Sequence, residues 1–225
     1  MGGPIPKQYL QLQGRTVLDH AIGRLLSVGR IRGVRVALSS QDEHWQESRF
    51  AADARVVRVA GGVERCHSVR NALHDLATGP AAATDWVLVH DAARPCVRPE
   101  DIERLMDRLD GHPVGGLLAS PIHDTVKQVD EGNRVRATLP RESLWRAFTP
   151  QMFRIGVLLD ALEQALSAGR LVTDEAGAME LAGLAPLLVE GSPDNIKITR
   201  PGDLALAGFL LRQQEIQDTT GAGES

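Results

Sequence analysis

The sequence predicts an α/β fold: a doubly wound, mostly parallel sheet with helices on both faces and one projecting β-hairpin arm. Two observations carry this. Short apolar, β-branched runs alternate with stretches of helical periodicity along most of the 225 residues, the pattern of strand–helix crossovers covering a parallel sheet. One segment breaks the alternation, with two strand-like runs joined by a tight polar turn.

The strands are read at Val34–Leu38, Val56–Val59, Trp86–Val89 and Gly116–Ala119, and the segments between them as helices. The clearest helix covers Thr16 to Val28, where Val17, Leu18, Ala21, Ile22, Leu25 and Leu26 recur at helical spacing. Another begins near Ser68 with Val69, Ala72, Leu73 and Leu76 on one face, and a third runs from Arg154 to Ala168. The last starts at Pro201, a residue suited to a first helical turn, with Asp203 close behind. Thr125–Val129 and Arg134–Thr138, joined by Asp130-Glu131-Gly132-Asn133, form the hairpin. An isolated two-stranded arm is marginal in water, so the arm, at about 121–142, is expected to pack against a second subunit. The reading is one domain over 1–225, with a disordered tail at about 217–225.

Composition narrows the function. Hydrophobic residues make up 43% of the chain, enough for a core. A formal net charge of −4 supplies no basic field for nucleic acid. Any anion bound must be met locally. The apolar run around Ile155–Leu162 is shorter than the roughly 18 residues that signal a membrane span, and no basic-then-apolar leader is seen. The expected setting is cytoplasmic. Cys66 and Cys96 lack paired spacing and read as idle reduced thiols. The seven histidines show no metal-ligand spacing, and His90 reads as structural. No G-x-G-x-x-G follows a strand, which argues against a nicotinamide dehydrogenase.

Four pieces hold residues suited to phosphate and sugar chemistry. Gly2–Leu10, GGPIPKQYL, is a loop whose amides and Lys7 suit phosphate, and equally an ordinary terminus. Gly61–Val69, GGVERCHSV, joins a strand end to a helix start, where ligands of open α/β sheets gather. Ser68 there suits a base or ribose, or else simply a tight helix entrance. Val87–Pro95, VLVHDAARP, places Asp91 just past a strand's carboxyl end, free for a sugar hydroxyl or metal-bound phosphate, or paired with Arg94. Ser192–Leu204, SPDNIKITRPGDL, holds Lys197 in a short strand-like segment. Thr125, Arg141 and Thr149 add hydroxyls and a guanidinium.

In this order, PKQYL, GG-ER-SV, VLVHDAARP, DT-K, TPQ-F, TDEA and DNIK-TRP-DL closely resemble the 2-C-methyl-D-erythritol 4-phosphate cytidylyltransferase family of the non-mevalonate isoprenoid pathway, from Pro6 to about Phe209. The resemblance implies a Rossmann-like nucleotidyltransferase fold and a homodimer held through the arm. It implies cytidylyl transfer from CTP to methylerythritol phosphate with a divalent metal, usually Mg2+. By motif, Lys7 stabilises the transition state and Lys197 holds the incoming phosphate. Arg141 and Thr125 come from the partner's arm to position the substrate. Thr149 and Asp91 address its hydroxyls or the ribose, and Gly61, Gly62, Ser68 and Ala92 form the nucleotide pocket. Val63 stands where many relatives carry an acidic residue.

The family opens with an apolar strand and a glycine-rich loop ending in arginine and methionine, and Met1 resembles that methionine. The resemblance therefore implies that a central strand, triphosphate-binding amides and a catalytic arginine lie upstream. A protein starting at Met1 is then expected to be poorly stable and nearly inactive. A related pentitol-phosphate cytidylyltransferase, acting on ribitol 5-phosphate, and a non-catalytic CTP-binding protein are the competing readings.

Overall fold

The computed structural model describes residues 5–79 and 81–221. Gly2, Gly3 and Pro4 of the first loop lie outside them, as do 222–225 of the tail. Strands β1 (Gln11–Leu12) and β2 (Arg15–Thr16) form a small antiparallel pair turned at Gln13 and Gly14. Thr16 then caps α1 (Val17–Leu26), its Oγ1 accepting the Asp19 amide at 3.0 Å, worth ~1 kcal/mol. β3 (Val34–Leu38), β4 (Val56–Ala60), α2 (Arg65–Thr78), β5 (Trp86–Val89) and α3 (Pro99–Arg108) follow. Next come β6 (Gly115–Pro121), the arm strands β7 (Val126–Val129) and β8 (Val135–Leu139), and β9 (Trp145–Arg154). The chain continues through α4 (Ile155–Ser167), α5 (Glu175–Leu181), β10 (Leu187–Glu190) and α6 (Pro201–Gly221). Helix α6 therefore runs through the first residues of the stretch read as a disordered tail.

The larger sheet has the order β10-β6-β9-β5, with β10 parallel to β6 and β9 antiparallel to both its neighbours. Helix α3 covers one face, where Ile102, Leu105 and Leu109 pack with Leu118, Met152 and Val189. Helices α2 and α4 cover the other, where Leu73, Leu158 and Leu162 meet Phe153. Both cysteines are buried and free, and burial pushes the Cys96 thiol up to about 12.

Strand β9 is absent from the sequence reading because Pro150 lies within it, and proline removes a ladder donor. The register explains the tolerance. Pairing with β5 ends at Val89 and Gln151, and pairing with β6 shifts between Leu117 and Ala119, so Pro150 falls where the ladder is already broken.

One feature departs from a continuous doubly wound sheet. Among the described residues β3 pairs only with β4, and β5 only with β9, so the two parallel portions are separate sheets. Between them lies a cavity of about 1090 Å³. Val34, Val36 and Leu38 line one side, Trp86 to Val89 the other, and Leu18, Ile22 and Leu25 of α1 also line it. Among the described residues no strand pairs with the facing edge of either sheet.

The β6–β10 contact admits no side chain at Gly116, where a Cβ would lie 2.1 Å from the Leu187 carbonyl oxygen. Gly116→Ala is expected to force β10 off the sheet and cost about 2 kcal/mol, roughly 4–8 °C in melting temperature; calorimetry of the two proteins checks it.

Candidate active site

The carboxyl ends of β4 and β5 meet at one rim of the cavity. Arg65, just past β4, reaches Asp91, just past β5. Asp91 is the centre of the rim. Its Oδ1 accepts from Arg65 Nε at 2.9 Å, and its Oδ2 lies 2.8 Å from Lys197 Nζ and 3.6 Å from Arg94 Nε. Burial alone would raise the Asp91 carboxyl, but Arg65 and Lys197 outweigh it and hold it far below the ordinary carboxylate range. Arg65 also grips Glu175 through both guanidinium ends, at 2.6 and 3.0 Å. Three cations thus face two carboxylates, a local surplus of positive charge in a chain whose net charge is −4.

Backbone contacts bring Lys197 to this place. Ile198 N–H donates to the Ala93 carbonyl at 2.8 Å, and Arg94 Nη1 donates to the Asn195 carbonyl at 2.7 Å. Buried Asn195 donates from Nδ2 to the Thr149 carbonyl at 2.8 Å. The DNIK segment is therefore irregular chain, not the strand-like run expected, and is pinned at three points to the loop after β5 and to β9.

Thr149 is 4% exposed, and its hydroxyl has two partners already. It accepts from the Asp91 amide at 3.0 Å and donates to His90 Nδ1 at 3.0 Å. His90 Nε2–H in turn donates to the Arg94 carbonyl at 3.0 Å, which fixes the neutral tautomer. Desolvation pushes the imidazole down to about 4. Thr149 thus orients Asp91, the residue it was expected to work beside.

In the Gly61–Val69 segment, the Gly62 amide donates to Ser68 Oγ at 2.9 Å, and Ser68 donates to the Glu64 carbonyl at 3.3 Å. Gly61 N–H donates to the Leu38 carbonyl at 2.7 Å, tying the loop to the end of β3. A Cβ on Gly62 would meet that of His67 at 2.3 Å, so this turn requires glycine. Ser68, Ala92, Lys7, Arg65, Asp91 and Lys197 all line the cavity. Thr125 and Arg141 do not. Both are exposed at the base of the arm, with Arg141 donating to the His123 carbonyl.

A family model described as IspD, 2-C-methyl-D-erythritol 4-phosphate cytidylyltransferase, matches residues 1–213. The chain belongs to this family. It is similar to the cytidylyltransferase of that name from Hahella chejuensis, at 52% identity over 95% of this chain and 88% of the relative. The Vibrio vulnificus enzyme is 49% identical over 93% of this chain and 88% of its own length. A solved 4-diphosphocytidyl-2C-methyl-D-erythritol synthase superposes with a TM-score of 0.82 at 38% identity, covering 91% and 94% of the two chains. The Francisella tularensis cytidylyltransferase gives 0.81 at 39% identity, covering 92% and 94%.

Sequence reasoning gave no role to Arg65 or Glu175 of this cytidylyltransferase. Their signal lay in the quoted ER and TDEA motifs, where a charged residue opens a helix directly after a turn. The neutral His90 carries a testable consequence. Its ordinary value is 6.5, so between about 4 and 6.5 the unfolded chain binds more protons and native stability falls as pH drops. The loss by pH 5 is expected to reach about 2 kcal/mol. His90→Gln should make the fall between pH 7 and pH 5 shallower in urea unfolding, while His20, also held neutral by burial, keeps part of the slope.

Proposed function

We propose that this chain transfers the cytidylyl group of CTP to 2-C-methyl-D-erythritol 4-phosphate, forming 4-diphosphocytidyl-2-C-methyl-D-erythritol and pyrophosphate for isoprenoid precursor synthesis. The observation that carries this is the cationic rim of Lys197, Arg65 and Arg94 around Asp91, beside a cavity whose lining includes Ala92 and Ser68. The substrate's phosphate oxygen attacks the α-phosphorus, forming one P–O bond while the bond to pyrophosphate breaks. Such a transfer needs positioning and charge neutralisation more than a nucleophile–base pair. Lys197 suits the incoming phosphate, because an ammonium has three donors and Asp91 occupies one direction. Lys7, exposed and lining the same cavity, suits the α-phosphate. The small residues Gly61, Gly62 and Ala92, with Ser68, suit a pyrimidine ring.

Among the described residues no three His, Cys, Asp or Glu side chains gather to cage a metal ion. Both Asp91 oxygens are held by Arg65, Lys197 and Arg94, and Glu175 is 1% exposed and tied to Arg65, so Mg2+ would arrive on triphosphate oxygens and keep them as its ligands. Bound there, the ion supplies further charge neutralisation. A homodimer through the arm is supported by the hairpin's isolation as its own two-stranded sheet, with Val129 and Val135 exposed. In that dimer Arg141 and Thr125 reach the neighbouring site. A cytoplasmic setting goes with a CTP-dependent reaction. The two unpaired edges flanking the cavity support one further strand there in the active enzyme.

The test is pyrophosphate release from CTP, methylerythritol phosphate and magnesium, using this chain and one extended upstream. The extended form is expected to turn over, the 225-residue form to be nearly inactive, and Lys197→Ala to lower the extended form's kcat/KM by roughly 10²–10³. Preferential turnover of ribitol 5-phosphate, or CTP binding without pyrophosphate release by both forms, would overturn the reading. Normal turnover by the shorter form would overturn the added strand.

A further inference from the structure

Glu175 does not line the cavity and is 1% exposed, so it is placed to act on its neighbours rather than on a ligand. Burying a carboxylate demands partners of fixed geometry. Its backbone is held from behind. Asp174 caps α5 at Gly177 N–H at 3.0 Å, and Gln151 accepts from the Ala176 amide at 2.7 Å while donating to Asp174 at 3.0 Å. Both Glu175 oxygens then go to the Nη atoms of Arg65. This leaves Arg65 Nε for one Asp91 oxygen, and the other Asp91 oxygen for Lys197.

We propose that Glu175 is a positioning residue for the Lys197 ammonium, acting through Arg65 and Asp91. The proposal rests on the reading of Lys197 as the holder of the incoming phosphate. The planar guanidinium fork makes the chain directional. With its Nη face satisfied, Arg65 meets Asp91 through Nε alone and leaves one carboxylate oxygen open. Without Glu175, the same fork turns onto both Asp91 oxygens and competes with Lys197 for its anchor. The phosphate-binding charge then loses its fixed place, while the nucleotide loop at Gly62 and Ser68, held by its own hydrogen bonds, is left as it was.

Calorimetric titration of methylerythritol phosphate and, separately, of CTP tests this without requiring turnover. Glu175→Gln is expected to weaken methylerythritol phosphate about tenfold and CTP by less than about twofold, with Glu175→Asp restoring part of the loss. Combined with Lys197→Ala, it should add nothing to the loss caused by Lys197→Ala alone, because both act on one contact. Additive losses, equal weakening of CTP, or unchanged affinity in Glu175→Gln would overturn the relay. If Lys197→Ala itself leaves methylerythritol phosphate affinity unchanged, the phosphate role of Lys197 fails and the relay with it. If Glu175→Gln does not fold, Glu175→Asp, which keeps the charge but draws the carboxylate back from the Arg65 fork, should show the same selective loss in smaller measure; unchanged affinity there would also overturn it.

Discussion

The Asp91 carboxylate is the constraint on which the rest of the site depends. Loops after β4, after β5 and before α6 have no common sheet pairing at the rim, yet each delivers a cation to this one anion. Remove the anion and three like charges remain within a few ångströms of its position. The rim would then repel itself apart. The carboxylate therefore does two jobs, drawing the loops together and leaving a positive excess that faces outward.

Burying such a cluster is expensive unless its geometry is fixed, and the structure supplies that rigidity through neutral hydrogen bonds. Thr149, His90 and Asn195 carry no charge here, but they lock the amide of Asp91, the carbonyl of Arg94 and the backbone before Lys197. Thr149 sits within the register break in β9 and bonds into this network. The irregularity that hides β9 from a periodicity argument is thus the same one that holds a residue of the site.

Elements with strong local signals were legible in the sequence: α1, β3, β4, β5 and the hairpin arm stand close to where periodicity and turn chemistry put them. The long β9, short β10 and α5 were not read, since Pro150 interrupts one and the others are brief segments whose identity comes from packing. Of the residues picked from the sequence, Asp91, Ser68 and Lys197 line the cavity, and each follows a strand end or sits in a dense motif. Their partnerships were not legible. No spacing rule links Arg65 to Glu175, which are 110 positions apart, or shows that the Thr149 hydroxyl is turned inward to His90.

The gap between β3 and β5 also bears on how this chain behaves in company. Each facing edge presents a row of peptide groups flanked by apolar side chains, with Val34, Val36 and Leu38 on one side and Trp86 to Val89 on the other. Such edges are templates for any extended segment, including one from another copy. An extended apolar segment laid along both edges would hydrogen-bond to each and turn the two sheets into one.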